Sequence, residues 1–217
     1  MITIDSISFD LTNCELKKAD QNQRAWLSSQ TVAHLLRFRP TPPSWSFDLS
    51  NPQAAKDFYR QQCDENSGAM LFAEVLPVSG FETLCGVFKY RAPVPNSLAM
   101  LYVGILWLPF ADCNFQINVE AMEQGTTGLR ETGVRLMEPQ IWDDPPDAPT
   151  VVVASAEEMF SRMRAARVKE LPSDAERFDV KFPDHPLSLV RYRLREIMHT
   201  LKLNTDGQAL APFRIGR

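Results

Sequence analysis

Features typical of small secreted proteins are scarce in this sequence. The four cysteines lie 49, 22 and 28 residues apart, so no closely spaced pair indicates a disulfide framework or a redox motif. The first five residues, Met-Ile-Thr-Ile-Asp, lack the basic segment and the apolar core of a secretory signal. We therefore predict four free thiols and a cytoplasmic protein. The cysteines are Cys14, Cys63, Cys85 and Cys113.

Long hydrophobic runs and an excess of basic charge are also missing. The longest apolar run, residues 98–111, contains Gly104 and Pro109 and is shorter than the roughly 20 apolar residues that a membrane helix needs. The formal net charge is −4, whereas nucleic-acid-binding domains are usually basic. The sequence therefore predicts no membrane span and no nucleic-acid partner.

Motifs for catalysis, cofactor binding and metal binding are not found. None of His34, His185 and His199 is paired with another histidine or a cysteine at the spacing of zinc ligands. The chain has no GxSxG elbow, no Walker loop and no GxGxxG after a strand. We therefore predict no metal and no cofactor. His34 is expected in a strand, satisfied by a neighbour, and His185 is expected to help cap the last helix beside Pro186.

Hydrophobic periodicity predicts the secondary structure. A chain of 217 residues with 44% hydrophobic and 23% charged residues can bury a core without disulfides or metals. Alternating or continuous apolar runs indicate strands, and capped runs with helical spacing indicate helices. The predicted strands are residues 32–39, 69–77, 81–91, 98–109 and 114–122, with an early strand or hairpin in 2–11. The predicted helices are residues 52–64, 155–169 and 186–202.

These elements predict an α+β fold. The connections between the later strands are too short for parallel crossovers, so we expect a mostly antiparallel sheet with helices packed on one face. Residues 98–109 are apolar at both parities, which predicts a central strand. We expect a single domain over 1–217. It comprises a mainly β core with one helix (1–138), an exposed loop rich in Pro and Asp (139–154) and a helical C-terminal part (155–217).

The exposed loop is the first candidate for contact with another protein. Trp142 is an aromatic anchor beside three carboxylates and rigid prolines, a composition that suits a basic partner. Residues 1–150 hold 11 basic and 18 acidic residues, a balance of −7, which would also steer a basic partner. The alternative is a solvated connector whose Trp142 folds back onto the core. The carboxylates are Asp143, Asp144 and Asp147.

Strand 114–122 provides the second candidate surface. Gln116, Asn118 and Glu120 alternate with apolar residues, which predicts one buried face and one wet or recognition-bearing face.

A polar cluster at the end of that strand leaves three interpretations open, of which recognition of a partner is the third. Paired carboxylates can do acid–base chemistry when their environments separate their pKa values, so a small hydrolase could use this cluster. Alternatively, Arg130 pairs with a carboxylate to hold the turn while the other side chains face water. The residues of the hydrolase hypothesis are Glu120, Glu123, Arg130 and Glu131.

Two segments carry a resemblance to a known family. Tyr102-Val-Gly-Ile-Leu-Trp-Leu-Pro-Phe110, continuing through Phe115 to Gly125-Thr-Thr-Gly-Leu-Arg-Glu131, is the first, and Phe182-Pro-Asp-His-Pro-Leu-Ser-Leu-Val-Arg191 is the second. They resemble an uncharacterised bacterial group associated with secretion systems, including type VI secretion, and with polymorphic-toxin loci. The resemblance covers about a quarter of the chain and transfers no catalytic residue.

The order of the elements also resembles a known sandwich fold, that of the photosystem PsbP proteins and the Ran-binding Mog proteins. A shared fold does not by itself imply a shared function. We therefore predict a non-enzymatic protein-binding module, implied by the first resemblance to be a toxin-immunity or secretion-accessory protein. A small hydrolase is the alternative.

Overall fold

The computed structural model describes residues 1–11, 13–28, 32–142 and 153–215. The strands are β1 (Ile7–Ser8), β2 (Cys14–Ala19), β3 (Gln23–Ser28), β4 (Val32–Arg39), β5 (Ala69–Val78), β6 (Phe81–Arg91), β7 (Met100–Pro109), β8 (Asn114–Met122) and β9 (Lys202–Leu203). The α-helices are α1 (Pro52–Glu65), α2 (Leu129–Met137), α3 (Ala156–Ala165), α4 (Pro186–Thr200) and α5 (Thr205–Gln208). Short 3-10 helices span Ile4–Ser6, Pro139–Ile141, Pro172–Asp174 and Glu176–Phe178.

Seven strands form one antiparallel sheet in the order β2-β3-β4-β8-β7-β6-β5. The predicted α+β class and mostly antiparallel sheet are confirmed. β7 lies between β6 and β8, as its apolar residues at both parities predict. β1 and β9 form a separate two-stranded ribbon.

One face of the sheet, here called the helical face, carries α4. Tyr102, Leu106 and Ile117 are completely buried on this face. α4 lies close to β7 because Gly104 has no side chain: a Cβ atom there would stand 2.5 Å from Leu194 Cδ1. α2 and the Pro172–Asp174 turn lie on the same face, joined to Lys89 of β6. The predicted helical layer on one face is therefore confirmed.

The other face, here called the second face, carries a smaller core. Trp45 stacks on Phe47 with ring centroids 5.0 Å apart, and lies 4.9 Å from the ring of Trp107 of β7. α1 joins this cluster through the buried Tyr59. The predicted helix 52–64 is therefore present as α1, but it packs on the second face and is the exception to the predicted one-face arrangement.

Three segments differ from the sequence predictions. The hairpin β2–β3 was missed because it lies at the sheet edge, where charged residues such as Lys18 and a bulge after Leu16 replace apolar alternation. The early strand is mostly the Ile4–Ser6 3-10 helix. α2 was missed because Gly128 caps it without a side-chain hydrogen bond.

Within the described residues, no helix is long and apolar enough to cross a membrane.

Candidate functional site

The candidate site lies on the helical face, where the last residues of β8 turn into α2. Gly125 and Gly128 both have positive φ angles, which a glycine adopts without strain and which the reversal requires. Glu123 sits in this turn and accepts hydrogen bonds from the Met100 amide at 2.9 Å and the Gly128 amide at 3.2 Å. Its side chain is only 6% exposed. Glu123 therefore joins the strand end to the turn and brings a carboxylate into the protein.

Arg130, the second residue of α2, is fully buried and fully engaged. Its Nε donates to the Ser173 carbonyl at 2.7 Å, and Nη1 donates to Ser188 Oγ at 2.7 Å. Nη2 donates to the Ala175 carbonyl at 3.0 Å and to the Asp179 carboxylate at 2.8 Å. The proposal that Arg130 pairs with a carboxylate is correct, but the partner is Asp179, far along the chain. Arg130 therefore fastens segment 173–179 to α2 and α4.

Lys89 forms a second buried ion pair beside Arg130. Its Nζ lies 3.1 Å from both carboxylate oxygens of Asp174 and 3.4 Å from Oε1 of Glu131. The ammonium also stands 5.7 Å from the ring centroid of Tyr102. The lysine and the aspartate are both almost completely buried, so each needs the other to compensate the loss of hydration.

His185 closes the site from α4. Its Nδ1 accepts a hydrogen bond from the Leu187 amide at 3.2 Å, which confirms the predicted capping role. A backbone amide is always a donor, so Nδ1 carries the lone pair and Nε2 carries the proton of the neutral ring. Nε2 faces Oε1 of Glu123 at 3.6 Å, too far for a hydrogen bond. The ring also packs edge-on against Tyr102, with centroids 5.3 Å apart.

Electrostatics around this group favour a charged Glu123 and a neutral Tyr102. Burial raises the pKa of Glu123, but its interactions with His185 and with the two amides outweigh burial, and the pKa lies below its usual value. Burial, reinforced by nearby carboxylates, raises the pKa of Tyr102. The phenol therefore keeps its proton throughout the physiological range.

We call the space bounded by Glu123, Glu131, His185 and Tyr102 the polar cleft. It continues into a cavity of about 400 Å³ lined by Glu123 and His185 and by apolar side chains of Leu129, Phe182 and Leu189. Three buried polar atoms of the cleft have no hydrogen-bond partner. They are Tyr102 OH, Glu131 Oε2 and His185 Nε2.

A metal ion fits the polar cleft poorly. One ligand atom each from Glu123, Glu131 and His185 lies within 4.8 Å of the others, which is compatible with a cation between them. A histidine that ligates through Nε2 normally donates its other ring N–H to an acceptor. Here Nδ1 faces the Leu187 N–H, a donor, so Nε2 has no lone pair to offer while the helix cap is intact.

The four residues of the hydrolase hypothesis are not brought together. Glu120 lies on the second face, where its Oε1 accepts a hydrogen bond from Asn118 at 3.2 Å. Arg130 is committed to the 173–179 segment, and only Glu123 and Glu131 share the polar cleft. The four residues do not form one site because alternate residues of a strand point to opposite faces of the sheet. Glu120 and Glu123, at the end of β8, therefore lie on opposite faces.

The second candidate surface is less wet than its sequence predicts. Gln116 and Asn118 do lie on the second face, but they are only 8% and 7% exposed. Gln116 donates to Asn118 at 2.8 Å, and Asn118 donates to Glu120. Cross-strand neighbours such as Trp107 shield the ladder, so only the half-buried Glu120 is readily available to a partner.

The first candidate surface is only partly visible. Trp142 is half-buried, and the Arg135 guanidinium lies 5.1 Å from its ring centroid. The ring therefore packs against α2, as the connector interpretation expects. Asp143, Asp144 and Asp147 lie outside the described residues.

The structure reveals functional candidates that sequence reasoning missed. α2 leaves three large apolar side chains exposed: Leu129 at 61%, Leu136 at 80% and Met137 at 48%. The polar residues Lys89, Tyr102 and Asp174 meet only through tertiary contacts. Lys89 was the one available signal, because a lysine inside the apolar run of β6 must find a buried partner.

Comparison with known proteins finds only distant structural similarity. No model of a protein family matches the chain, and no curated protein matches it. A mutant of protein Mog1 is similar over 93% of each chain, with 11% identity and a TM-score of 0.48. A protein of Bacteroides thetaiotaomicron is 10% identical over 57% of this chain and 41% of its own, with a TM-score of 0.34. Human STARD10 is 8% identical over 90% of this chain and 89% of its own, with a TM-score of 0.28.

All three TM-scores lie below 0.5, so these similarities assign no fold family, no partner and no activity to this chain.

Proposed function

We propose that this protein is a non-enzymatic binding module that docks a protein partner on the outer surface of α2 and on the loop that follows it. The observation that carries the proposal is the exposure of Leu129, Leu136 and Met137 on one nine-residue helix. Single exposed hydrophobic residues are normal, but a cluster on one element is typical of an interaction surface.

The chemistry beside α2 indicates a basic partner. Trp142 packs next to the helix through Arg135, and the sequence continues directly into Asp143, Asp144 and Asp147. An aromatic residue at the rim of an apolar patch with several carboxylates suits a partner that presents lysine or arginine around an apolar centre. Glu120, with Gln116 and Asn118 behind it, is our second candidate surface.

The test compares two exposed leucines. Native protein is purified with its partner, and the stoichiometric complex is compared between Leu136→Asn and the control Leu16→Asn, which alters a leucine that is 51% exposed on β2. We expect Leu136→Asn to weaken the complex at least tenfold, because about 1.4 kcal/mol of buried apolar contact is lost. Leu16→Asn should bind normally. Equal affinity of both variants would contradict the assignment of the surface.

The loop contributes to association and dissociation in different ways. Replacing Asp143, Asp144 and Asp147 by Asn should slow association and flatten its salt dependence, because long-range steering depends on net charge. Trp142→Ala should mainly increase the dissociation rate if the ring becomes buried in the complex. Surface plasmon resonance at several salt concentrations separates the two effects, and unchanged kinetics in both variants would make the loop a plain connector.

We further propose that the partner is a bacterial toxin or a secretion component, so that the protein acts as a cytoplasmic immunity or accessory protein. The resemblance of segments 102–131 and 182–191 to a group from such loci supports this assignment. Expression together with the product of the adjacent gene should rescue growth if that product is toxic. A partner that is neither toxic nor secreted would contradict this role and would leave the binding surface itself intact.

A further inference from the structure

The polar cleft contains buried polar atoms that have no hydrogen-bond partner. Tyr102 is completely buried, yet its hydroxyl has no hydrogen-bond partner, and the His185 Nε2–H faces Glu123 Oε1 at 3.6 Å. Glu131 Oε2 is also buried and unpaired. Leaving such groups unsatisfied costs about 1–3 kcal/mol each, so native proteins usually place a partner there.

Four positive and four negative side chains surround the cleft, so their charges are equal in number. They are Lys89, Arg91, Arg130 and Arg191, and Glu123, Glu131, Asp174 and Asp179. Arg91 donates to the carbonyls of Leu98 and Met163 rather than to a carboxylate. Two oxygen atoms, Glu131 Oε2 and Tyr102 OH, therefore remain open to a ligand that donates hydrogen bonds.

The hydrogen-bond pattern favours an organic ammonium over a metal ion. His185 Nε2 cannot ligate a metal while Nδ1 accepts the Leu187 amide. An ammonium needs only acceptors, which Glu123 Oε1, Glu131 Oε2 and the Tyr102 hydroxyl provide. One oxygen of the Glu123 carboxylate lies within 4.8 Å of one oxygen of the Glu131 carboxylate, a span that one nitrogen bridges with two charge-assisted hydrogen bonds of about 2.8 Å.

The walls of the cavity suit an alkyl chain attached to that ammonium. Leu129, Phe182 and Leu189 line the approach, and Glu123 and His185 lie at its end. Leu129 also belongs to the exposed apolar surface of α2. A lysine that projects from a partner docked on α2 would therefore find an apolar passage with an acidic end.

We propose that the polar cleft binds an alkylammonium group, with Glu123 and Glu131 as its acceptors. The alkylammonium group could belong to a lysine of the docked partner, an assignment that rests on the proposed function, or to a free primary amine, which has the same chemistry.

The test uses n-butylammonium chloride and amide NMR of the whole chain. The Met100 and Gly128 amides donate to Glu123, and the Leu187 amide donates to His185, so these three signals report on the cleft. We expect saturable shifts of the three signals at millimolar concentrations. Glu131→Gln should weaken binding roughly tenfold, as expected for loss of one charged hydrogen bond. Glu120→Gln, on the other face, should not change it.

Tyr102→Phe is a second variant, which keeps the proposal testable if Glu131→Gln fails to fold. It removes an unpaired hydroxyl and keeps the ring, so the fold should persist while amine binding weakens a few-fold. The proposal is overturned if n-butanol produces the same shifts, if no shift occurs, or if Mg²⁺ or Zn²⁺ binds with Glu131 dependence and the amine does not.

The source of the ammonium is resolved by a short peptide. Acetyl-Gly-Lys-Gly-amide should bind more tightly than n-butylammonium if the cleft receives a lysine of a partner, whereas similar or weaker binding indicates a free amine. Leu136→Asn should leave amine binding unchanged. Failure of the α2 surface and failure of the cleft are therefore distinguishable.

Discussion

Arg130 and the polar cleft lie side by side on the helical face, yet the charged group at the centre of the first is paired at every nitrogen. All three nitrogens of Arg130 donate to acceptors at 2.7–3.0 Å, although Ser173 Oγ and Asp179 Oδ2 beside it have no hydrogen-bond partner. In the cleft, Tyr102, Glu131 and His185 each have an unpaired buried atom. The first arrangement holds the fold together, whereas the second is arranged to hold something else.

This difference separates stability from binding within one polar region. A buried charge with every donor paired costs several kcal/mol when one partner is removed. A buried group that is unpaired in the free protein costs about 1–3 kcal/mol of folding free energy, so its removal should not destabilise the fold, and it becomes favourable only when a ligand supplies the partner. Substitution of Arg130 should therefore mainly lower the stability of the fold, whereas substitutions in the polar cleft should mainly weaken ligand binding.

The largest expected effect is at Arg130. Arg130→Met should lower the free energy of unfolding by about 3–5 kcal/mol, because the carbonyls of Ser173 and Ala175 lose their buried donor. Urea denaturation measures this loss. The control Arg195→Met breaks an exposed ion pair with Glu176 and should cost less than about 1 kcal/mol. Equal losses in the two variants would show that the Arg130 network does not hold segment 173–179.

The second expected effect is a pH dependence of stability that comes from His34, a residue outside the polar cleft. Burial, with a smaller contribution from Arg193, lowers the pKa of His34 to about 4 from a usual value of 6.5. The unfolded chain therefore binds this proton at a higher pH than the native protein does. The stabilisation is complete above pH 6.5 and is lost as the pH falls toward 4.

Unfolding at two pH values measures the contribution of His34. The loss should be about 2 kcal/mol between pH 7 and about pH 5. His34→Gln carries no titrating ring and should flatten this part of the profile. If the variant keeps the full acid sensitivity, the titration belongs to a group other than His34.

The smallest change in the free energy of unfolding is expected at Glu131 of the polar cleft. Glu131→Gln should change the free energy of unfolding by less than about 1 kcal/mol, because Lys89 keeps both oxygens of Asp174 and Glu131 Oε2 has no partner to lose. Thermal and urea denaturation check this value. A loss as large as that of Arg130→Met would place Glu131 in the structural network and remove the boundary between the two regions.

The sequence predicts elements well where local pattern and tertiary role agree. β7 is apolar at both parities and is central, and His185 before Pro186 caps α4. Local pattern could not predict the hairpin β2–β3, whose exposed edge position removes the apolar alternation. It also could not predict the polar cleft, because Glu123, Glu131 and His185 become neighbours only after the sheet and α4 have packed.

The crystal structure of the protein with n-butylammonium tests the central claim most directly. We predict the ammonium nitrogen within about 3 Å of Glu123 Oε1 and Glu131 Oε2, with the alkyl chain against Leu129 and Phe182 and the bond between the Leu187 amide and His185 Nδ1 intact. A cleft that holds only water, or a metal ion ligated by His185 Nε2, would contradict the account.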